Sequence, residues 1–435
     1  MRTPIKWRDL APLALLLVFV LATATAVAAN VNDGPNDGKS KAGLTADVIQ
    51  AMPMAGTPAL GPAECVGGMA GVFPCQNVDL ASFVPMATLG GINGSDIWGW
   101  EDGSTGKEYA IMTTGEGTAF VDVTEATAPV VVGILPTDDV GDDLLWRDVK
   151  VHRTFAFVVS EIGNHGMQVF DLRRLRGAGG DTPTVFDADF VYEEFGNAHN
   201  ISINSSSKHA YAVGTGTCNG GLHMIDISDP KAPTFAGCAG EDGYTHDVEC
   251  VDYRGQDGRF RGNEICFASN EDTVTIIDVT DKANPVVLSR SPYPTASYTH
   301  QGTLTANHRW FVFGDELDEL FGTVSETTTY VARIKKLDQE AKIVAVPLGT
   351  LTIDHNLYVR QGRLYMANYV EGLQIYDFSY KSLQRGELTR IGYFDVVPGV
   401  DAPTYGGSWS SYRFPSGTTV VSTIESGLFV LTPNV

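Results

Sequence analysis

Tyr244-Thr245-His246-Asp247-Val248-Glu249-Cys250 decides how this chain is read, because versions of it recur about every 50 residues. Close copies are Ala198-His199-Asn200-Ile201, Tyr298-Thr299-His300-Gln301 and Ile353-Asp354-His355-Asn356; altered forms are Ser95-Asp96-Ile97 and Trp146-Arg147-Asp148-Val149. Each copy opens a unit that continues with a β-branched and aromatic run, an acidic or Gly-rich turn and a second apolar run ending in Asp. The openings fall near Asp96, Asp148, His199, His246, His300, His355 and Ser408, which are 47 to 55 residues apart. Units of this length cannot bury an apolar face alone, so the period implies a closed array of small sheets.

Four strands can be read in each unit. After the opening strand come runs at residues 108–113, 154–160, 209–214, 264–269, 310–314, 363–368 and 418–423, with the alternation expected of strands sandwiched between sheets. Third runs end at Asp122, Asp171, Asp226, Asp278 and Asp377, while the fifth unit has Val331-Ala332-Arg333 instead. Pro129, Pro233 and Pro285 precede a fourth run, as suits an outer edge strand. The fold class is therefore all-β, a seven-bladed β-propeller. Its last unit is one strand short, so residues 83–89 are expected to pair with residues 427–431 and close the ring, removing two free edges.

Upstream of the repeats, residues 1–29 read as a secretory signal peptide. Arg2, Lys6 and Arg8 precede an apolar run at residues 10–21, and Ala26-Val27-Ala28-Ala29 supplies the small residues of a cleavage site. The apolar run is short for a membrane span. Residues 30–64, rich in Gly, Asp, Asn, Ala and Pro, are expected to be a disordered leader, with the propeller occupying residues 65–435. An extracellular or periplasmic protein without a membrane span after cleavage follows. The six cysteines fit an oxidising compartment. Six thiols admit 15 pairings, and nearness nominates Cys65 with Cys75, Cys218 with Cys238 and Cys250 with Cys266. A formal charge of −22 leaves no basic surface for nucleic acid.

The chain resembles the choice-of-anchor B family with its LVIVD repeats. The motifs that carry the likeness are Asp96-Ile97-Trp98-Gly99-Trp100, Trp146-Arg147-Asp148-Val149-Lys150-Val151, His165-Gly166-Met167-Gln168-Val169-Phe170-Asp171, Gly221-Leu222-His223-Met224-Ile225-Asp226-Ile227-Ser228-Asp229-Pro230 and Asp315-Glu316-Leu317-Asp318-Glu319. The resemblance implies a secreted bacterial protein whose common domain is followed by varied surface anchors. No sorting signal is visible after these repeats, so free secretion or a periplasmic home is expected. The family brings no established reaction or ligand.

In register, the first ring position at the propeller mouth reads Ser95, Arg147, His199, His246, His300, His355 and a residue near Trp409. The next reads Asp96, Asp148, Asn200, Asp247, Gln301, Asn356 and Ser410. The loops after the second strands add Glu116, Glu161, Glu271, Asp315, Glu316 and Glu425. Four imidazoles beside carboxylates suit a divalent metal ion, with His199, His246, His300, His355, Asp148 and Asp247 as its candidate ligands. The competing reading is structural: one polar residue per repeat can satisfy backbone groups of the next blade and tie blades together. Asp138-Asp139-Val140-Gly141-Asp142-Asp143 lacks the ordered spacing of a calcium loop and reads as a solvated acidic turn. His209 and His308 fall in hairpin turns, where surface positions are expected. No Gly-x-Ser-x-Gly elbow, phosphate loop, Cys-x-x-Cys pair or haem motif occurs in the mature chain. The leading functional expectation is a monomeric binding or scaffold module facing a protein, glycan or cell-surface component. An extracellular metal-dependent enzyme is the alternative.

Overall fold

A computed structural model describes residues 52–137 and 145–435. The expected signal peptide, the leader up to residue 51 and the acidic stretch Asp138-Asp139-Val140-Gly141-Asp142-Asp143 lie outside the described residues. Seven sheets form the seven blades of a propeller, antiparallel except where Thr184–Val185 joins the outer edge of the first blade in parallel. Their innermost strands are Gly94–Asp102, Arg147–His152, Asn200–Asn204, Asp247–Asp252, Thr299–Leu304, Leu357–Arg360 and Ser408–Arg413. Second strands such as Trp310–Asp315 and Glu264–Ser269 are buried along their whole length, because both faces lie against a neighbouring blade.

The core is accordingly divided. Seven apolar clusters each join two consecutive blades. Tyr211, Val213 and Met224 of the third blade meet Val248, Cys266 and Ala268 of the fourth, and Ile265 and Phe267 meet Phe311 and Phe313 of the fifth. An eighth cluster gathers apolar residues next to the ring positions, among them Trp146, Ile353 and Trp409.

The Asp that closes most third strands has a local cause. Asp122, Asp226 and Asp278 accept the backbone N–H two residues on, from Thr124, Ser228 and Thr280, at 3.1, 2.8 and 3.0 Å. This side-chain turn stops the strand and reverses the chain toward the fourth strand.

Closure occurs as expected in kind, with a shifted register. The strand Val78–Pro85 pairs antiparallel with Gly427–Pro433, setting Val78 opposite Pro433 and Phe83 opposite Phe429. Residues 86–89 form a short helix, Met86–Leu89, ended by Gly90 in the left-handed conformation. Expected disorder gives way to order over residues 52–64: Leu60 and Ala63 bridge to Phe83 and Leu80, and the partly buried Met54, Leu60 and Ala63 pack against the cluster between blades six and seven. Those apolar side chains supply the burial that a Gly- and Pro-rich composition obscures.

All three disulfides join the neighbours in sequence, Cys65–Cys75, Cys218–Cys238 and Cys250–Cys266. Cys250 and Cys266 face each other directly across the first two strands of blade four. Cys65–Cys75 closes a loop whose strands Met69–Ala70 and Phe73–Gln76 extend blade six outward, an addition not visible in the repeat pattern. Three disulfides suit a protein that works outside the cytoplasm. Among the described residues no helix is long and apolar enough to cross a membrane.

Phe83 is 2% exposed, and its ring lies 4.6 Å from that of Phe429 across the closing pair. Replacing it with Ala is expected to cost about 3–5 kcal/mol of stability in denaturant titrations. A chain starting at Gly90, which lacks the closing strand, is expected to lose cooperative melting, whereas one starting at Met52 keeps it. A loss below about 1 kcal/mol for Phe83→Ala would contradict a ring closed through this strand.

Candidate metal centre

The residue that opens each innermost strand stands where the strand leaves the mouth. His199 and His246 are anchored there by their own backbones, which donate to the carbonyls of Val213 and Ser269 at 2.9 and 2.8 Å. The result is a continuous ladder of rings. Centroids of His199 and His246 are 4.2 Å apart, those of His246 and His300 4.1 Å, and those of His300 and His355 4.4 Å. Tyr369 extends the ladder at 4.4 Å from His355.

The two nitrogens of these rings are used differently. Nδ1 of His246 donates to the carbonyl of His300 at 2.8 Å, and Nδ1 of His355 donates to that of Trp409 at 2.6 Å, so each ties its blade to the next. Nδ1 of His199 lies 2.5 Å from Oε1 of Glu161. With the proton held on Nδ1, the lone pair is on Nε2. That is the tautomer a metal takes, fixed by the kind of carbonyl or carboxylate partner that metal-bound histidines have.

Glu316 comes to the same place from the loop after strand Trp310–Asp315. Asp315 holds that loop, accepting the backbone N–H groups of Ser297 and Tyr298 at 2.7 Å each and the Tyr293 hydroxyl at 2.6 Å. The next side chain thereby turns to the axis. Glu316 Oε1 accepts the Tyr369 hydroxyl at 2.5 Å and lies 3.8 Å from His355 Nε2, while Oε2 lies 3.8 Å from His300 Nε2. Donor atoms of His300, Glu316 and His355 all fall within 4.8 Å of one another, the one such group of three or more among the described residues. Glu316 Oε2 and His300 Nδ1 are buried without a hydrogen-bond partner among those residues.

Burial sets the protonation states. Desolvation, reinforced by the neighbouring rings, holds His246 and His300 well below the usual imidazole range, and desolvation drives His355 down to about 3. These rings are neutral at pH 7 and can act as ligands. Desolvation pushes the Glu316 carboxyl up to about 7, against the Tyr369 hydrogen bond, which favours the charged form. Against the site packs the eighth apolar cluster, whose Tyr369 and Trp409 meet the His355 ring, with Leu145, Trp146, Ile353, Tyr369, Trp409 and Ile424 buried and Met52, Leu320 and Tyr405 partly buried.

Of the expected ligands, the structure brings together His300 and His355, with His246 and His199 stacked beside them. Asp148 and Asp247 are a correction: neither joins the donor group. One residue further along a strand the side chain turns to the other face. Asp148 there accepts Lys150 Nζ and the Ile201 N–H, the latter at 2.8 Å, and Asp247 accepts the N–H of Val248. The rest of that ring ties blades. Asn200 Nδ2 donates to the His246 carbonyl at 3.0 Å, Gln301 Oε1 accepts the Leu357 N–H at 2.8 Å, and Asp96 takes Lys150 at 2.9 Å. Asn356 is buried beside them, its carbonyl accepting the Ala367 N–H. Arg147 turns into the wall between blades one and two, bonding His165 Nε2 and the Gly115 carbonyl, both at 3.2 Å. Glu271 is held in the left-handed conformation, where its carbonyl accepts the Thr299 N–H. His308 is buried in its turn, its Nδ1 accepting the Arg254 N–H at 3.1 Å, and is not on the surface.

Tyr369 was missed by motif reading. Its signal is positional: it occupies the place after the second strand that Glu116, Glu161, Glu271, Glu316 and Glu425 hold in other blades.

A family model described as the LVIVD repeat matches residues 196–239. No curated protein matches the chain. Among solved structures, hydrazine synthase from Kuenenia stuttgartiensis is similar at 15% identity over 72% of this chain and 88% of that one, with a TM-score of 0.48. A protein from Lactobacillus plantarum is 13% identical over 70% and 84%, with a TM-score of 0.47. A functionally unknown protein from Desulfotomaculum acetoxidans is 13% identical over 77% and 97%, also at 0.47. Likenesses this distant carry no argument about activity. The chain is a seven-bladed propeller containing an LVIVD repeat.

Behind Glu316 the same loop buries a second set of acids. Desolvation together with the charges of Asp354 and Asp318 pushes Glu319 from its ordinary 4.5 to about 12, so it is protonated in the fold at neutral pH. A carboxyl raised on folding contributes stability that is complete below its unfolded pKa and is lost as pH rises through the folded one. The melting temperature of the wild type is therefore expected to fall between about pH 5 and pH 9, and that of Glu319→Gln to fall less over the same interval. Parallel profiles for the two proteins would contradict this burial.

Proposed function

We propose that this protein is a metal-binding propeller of the extracytoplasmic space, holding a divalent transition-metal ion through His300, His355 and Glu316. The observation that carries the proposal is the division of labour on the rings: in His246 and His355 the blade tie uses only Nδ1. The structural role therefore explains one nitrogen of each and leaves the other free, and in His355 that free nitrogen faces a buried carboxylate. Two imidazoles and one carboxylate suit iron, zinc or a similar borderline ion, and three protein donors leave positions for water or a small ligand. Bound there, the ion would act as a Lewis acid or redox centre. Tyr369 would orient Glu316, and the apolar cluster packed against the site would keep bulk water away. The choice-of-anchor B resemblance and the signal-like leader support secretion in a bacterium.

A second reading, a binding or scaffold module for a protein, glycan or surface partner, is supported by the Cys65–Cys75 loop, on which Val66, Met69 and Val72 are exposed.

Elemental analysis of protein purified without chelator or metal-affinity resin separates the two. A stoichiometric ion is expected, lost in His300→Ala/His355→Ala and weakened about 10–100-fold in Tyr369→Phe. Wild-type protein that carries no ion and takes up neither cobalt nor zinc would remove the metal reading and favour the scaffold.

A further inference from the structure

Below the histidines the axis of the propeller opens into a cavity of about 210 Å³. Its walls come from the innermost strands of six successive blades, from Trp98 on the first to Tyr358 and Arg360 on the sixth, so it is the central channel itself. A single water needs only about 10–15 Å³ on this measure.

Charges on the walls are unevenly matched. Lys150 is neutralised in place by Asp96 and Asp148. Arg360 is not: its guanidinium lies over the rings of Trp98, Tyr358 and Tyr412 at 5.3, 5.4 and 5.9 Å, and no carboxylate comes within 4 Å of it among the described residues. Those aromatic faces strip water from one side of the cation and fix its plane. Among the described residues Glu249, also on the cavity wall, accepts the Leu304 N–H and is in no ion pair. Arg360 and Glu249 thus line one void with no ion pair between them among the described residues; desolvation pushes the Glu249 carboxyl up to about 7, and the Arg360 charge acts against that rise. Elsewhere on this protein, a partly buried cation and carboxylate that can reach each other do so, as Lys282 and Glu264 do at 2.6 Å.

We infer that the channel is a binding site for a small zwitterion of amino-acid size, its carboxylate on Arg360 and its ammonium on Glu249. Arg360 offers the planar fork that takes a carboxylate in bidentate fashion. Asp247, one ring nearer the mouth, stands on the same wall to receive a second ammonium hydrogen, and Thr303 and Ser202 supply hydroxyls between. An anion alone would meet Arg360 but face Glu249 and Asp247. A cation alone would meet the acids but face Arg360. Only a molecule carrying both charges satisfies the two walls together. This site is independent of whether an ion occupies the mouth.

The test is melting temperature and calorimetry on the full protein as purified, with each proteinogenic amino acid offered at about 10 mM, beside acetate and ethylammonium as single-charge controls. At least one amino acid is expected to raise the melting temperature and give a saturable heat, and neither control to do so. Arg360→Gln and Glu249→Gln are each expected to weaken that amino acid at least about tenfold. If Arg360→Gln fails to fold, Glu249→Gln and the wild-type panel still decide. Failure of every amino acid, equal binding of acetate or of ethylammonium alone, or binding undiminished in Glu249→Gln would overturn the inference.

Discussion

No blade of this protein can stand alone. Each sheet is apolar on both faces, and each face is satisfied only by the next sheet in the ring, so removing one interface exposes two apolar surfaces at once. The seven inter-blade clusters are therefore a single cooperative object. The polar features of the axis follow from it. Because neighbouring inner strands are brought together by packing behind them, side chains at equivalent positions meet whether or not they attract one another. Four imidazoles can lie within van der Waals distance along the mouth only because the apolar interfaces hold them there.

That forced proximity also explains which parts of the molecule were legible in the sequence. Blade number and strand order follow from spacing, since a repeat written seven times corrects its own local ambiguities, and the three cysteine pairs are those that nearness nominates. Elements outside the repeat were not legible in the same way. The strand Val78–Pro85 pairs from five residues earlier than the expected 83–89, because its register is set by Gly427–Pro433. The two short strands of the Cys65–Cys75 loop owe their place to an outer edge of blade six that local sequence does not describe.

At the mouth the repeat register sets the histidines side by side, and the carboxylate that stands with them is Glu316, not Asp148 or Asp247. Asp148 and Asp247 are neighbours of ring positions in sequence, and strand alternation sends them to another level. Glu316 belongs to a different loop and arrives because Asp315 folds that loop onto the backbone of residues 297 and 298. The two readings of the ring, structural tie and ligand, do not exclude each other. An imidazole has two nitrogens, and this fold engages one of them in His246 and His355.

The closing strand has a consequence in time as well as in space. Asp79 and Asn434, bonded side chain to side chain, are 355 residues apart, so the closing strand waits for its partner at residues 427–433. Until then the array is an open arc with an apolar face bare at each end. Contacts this distant in sequence form slowly, and loop-closure entropy is lost before any packing compensates. A chain so arranged cannot close its ring until residues 427–433 are available to pair with residues 78–85.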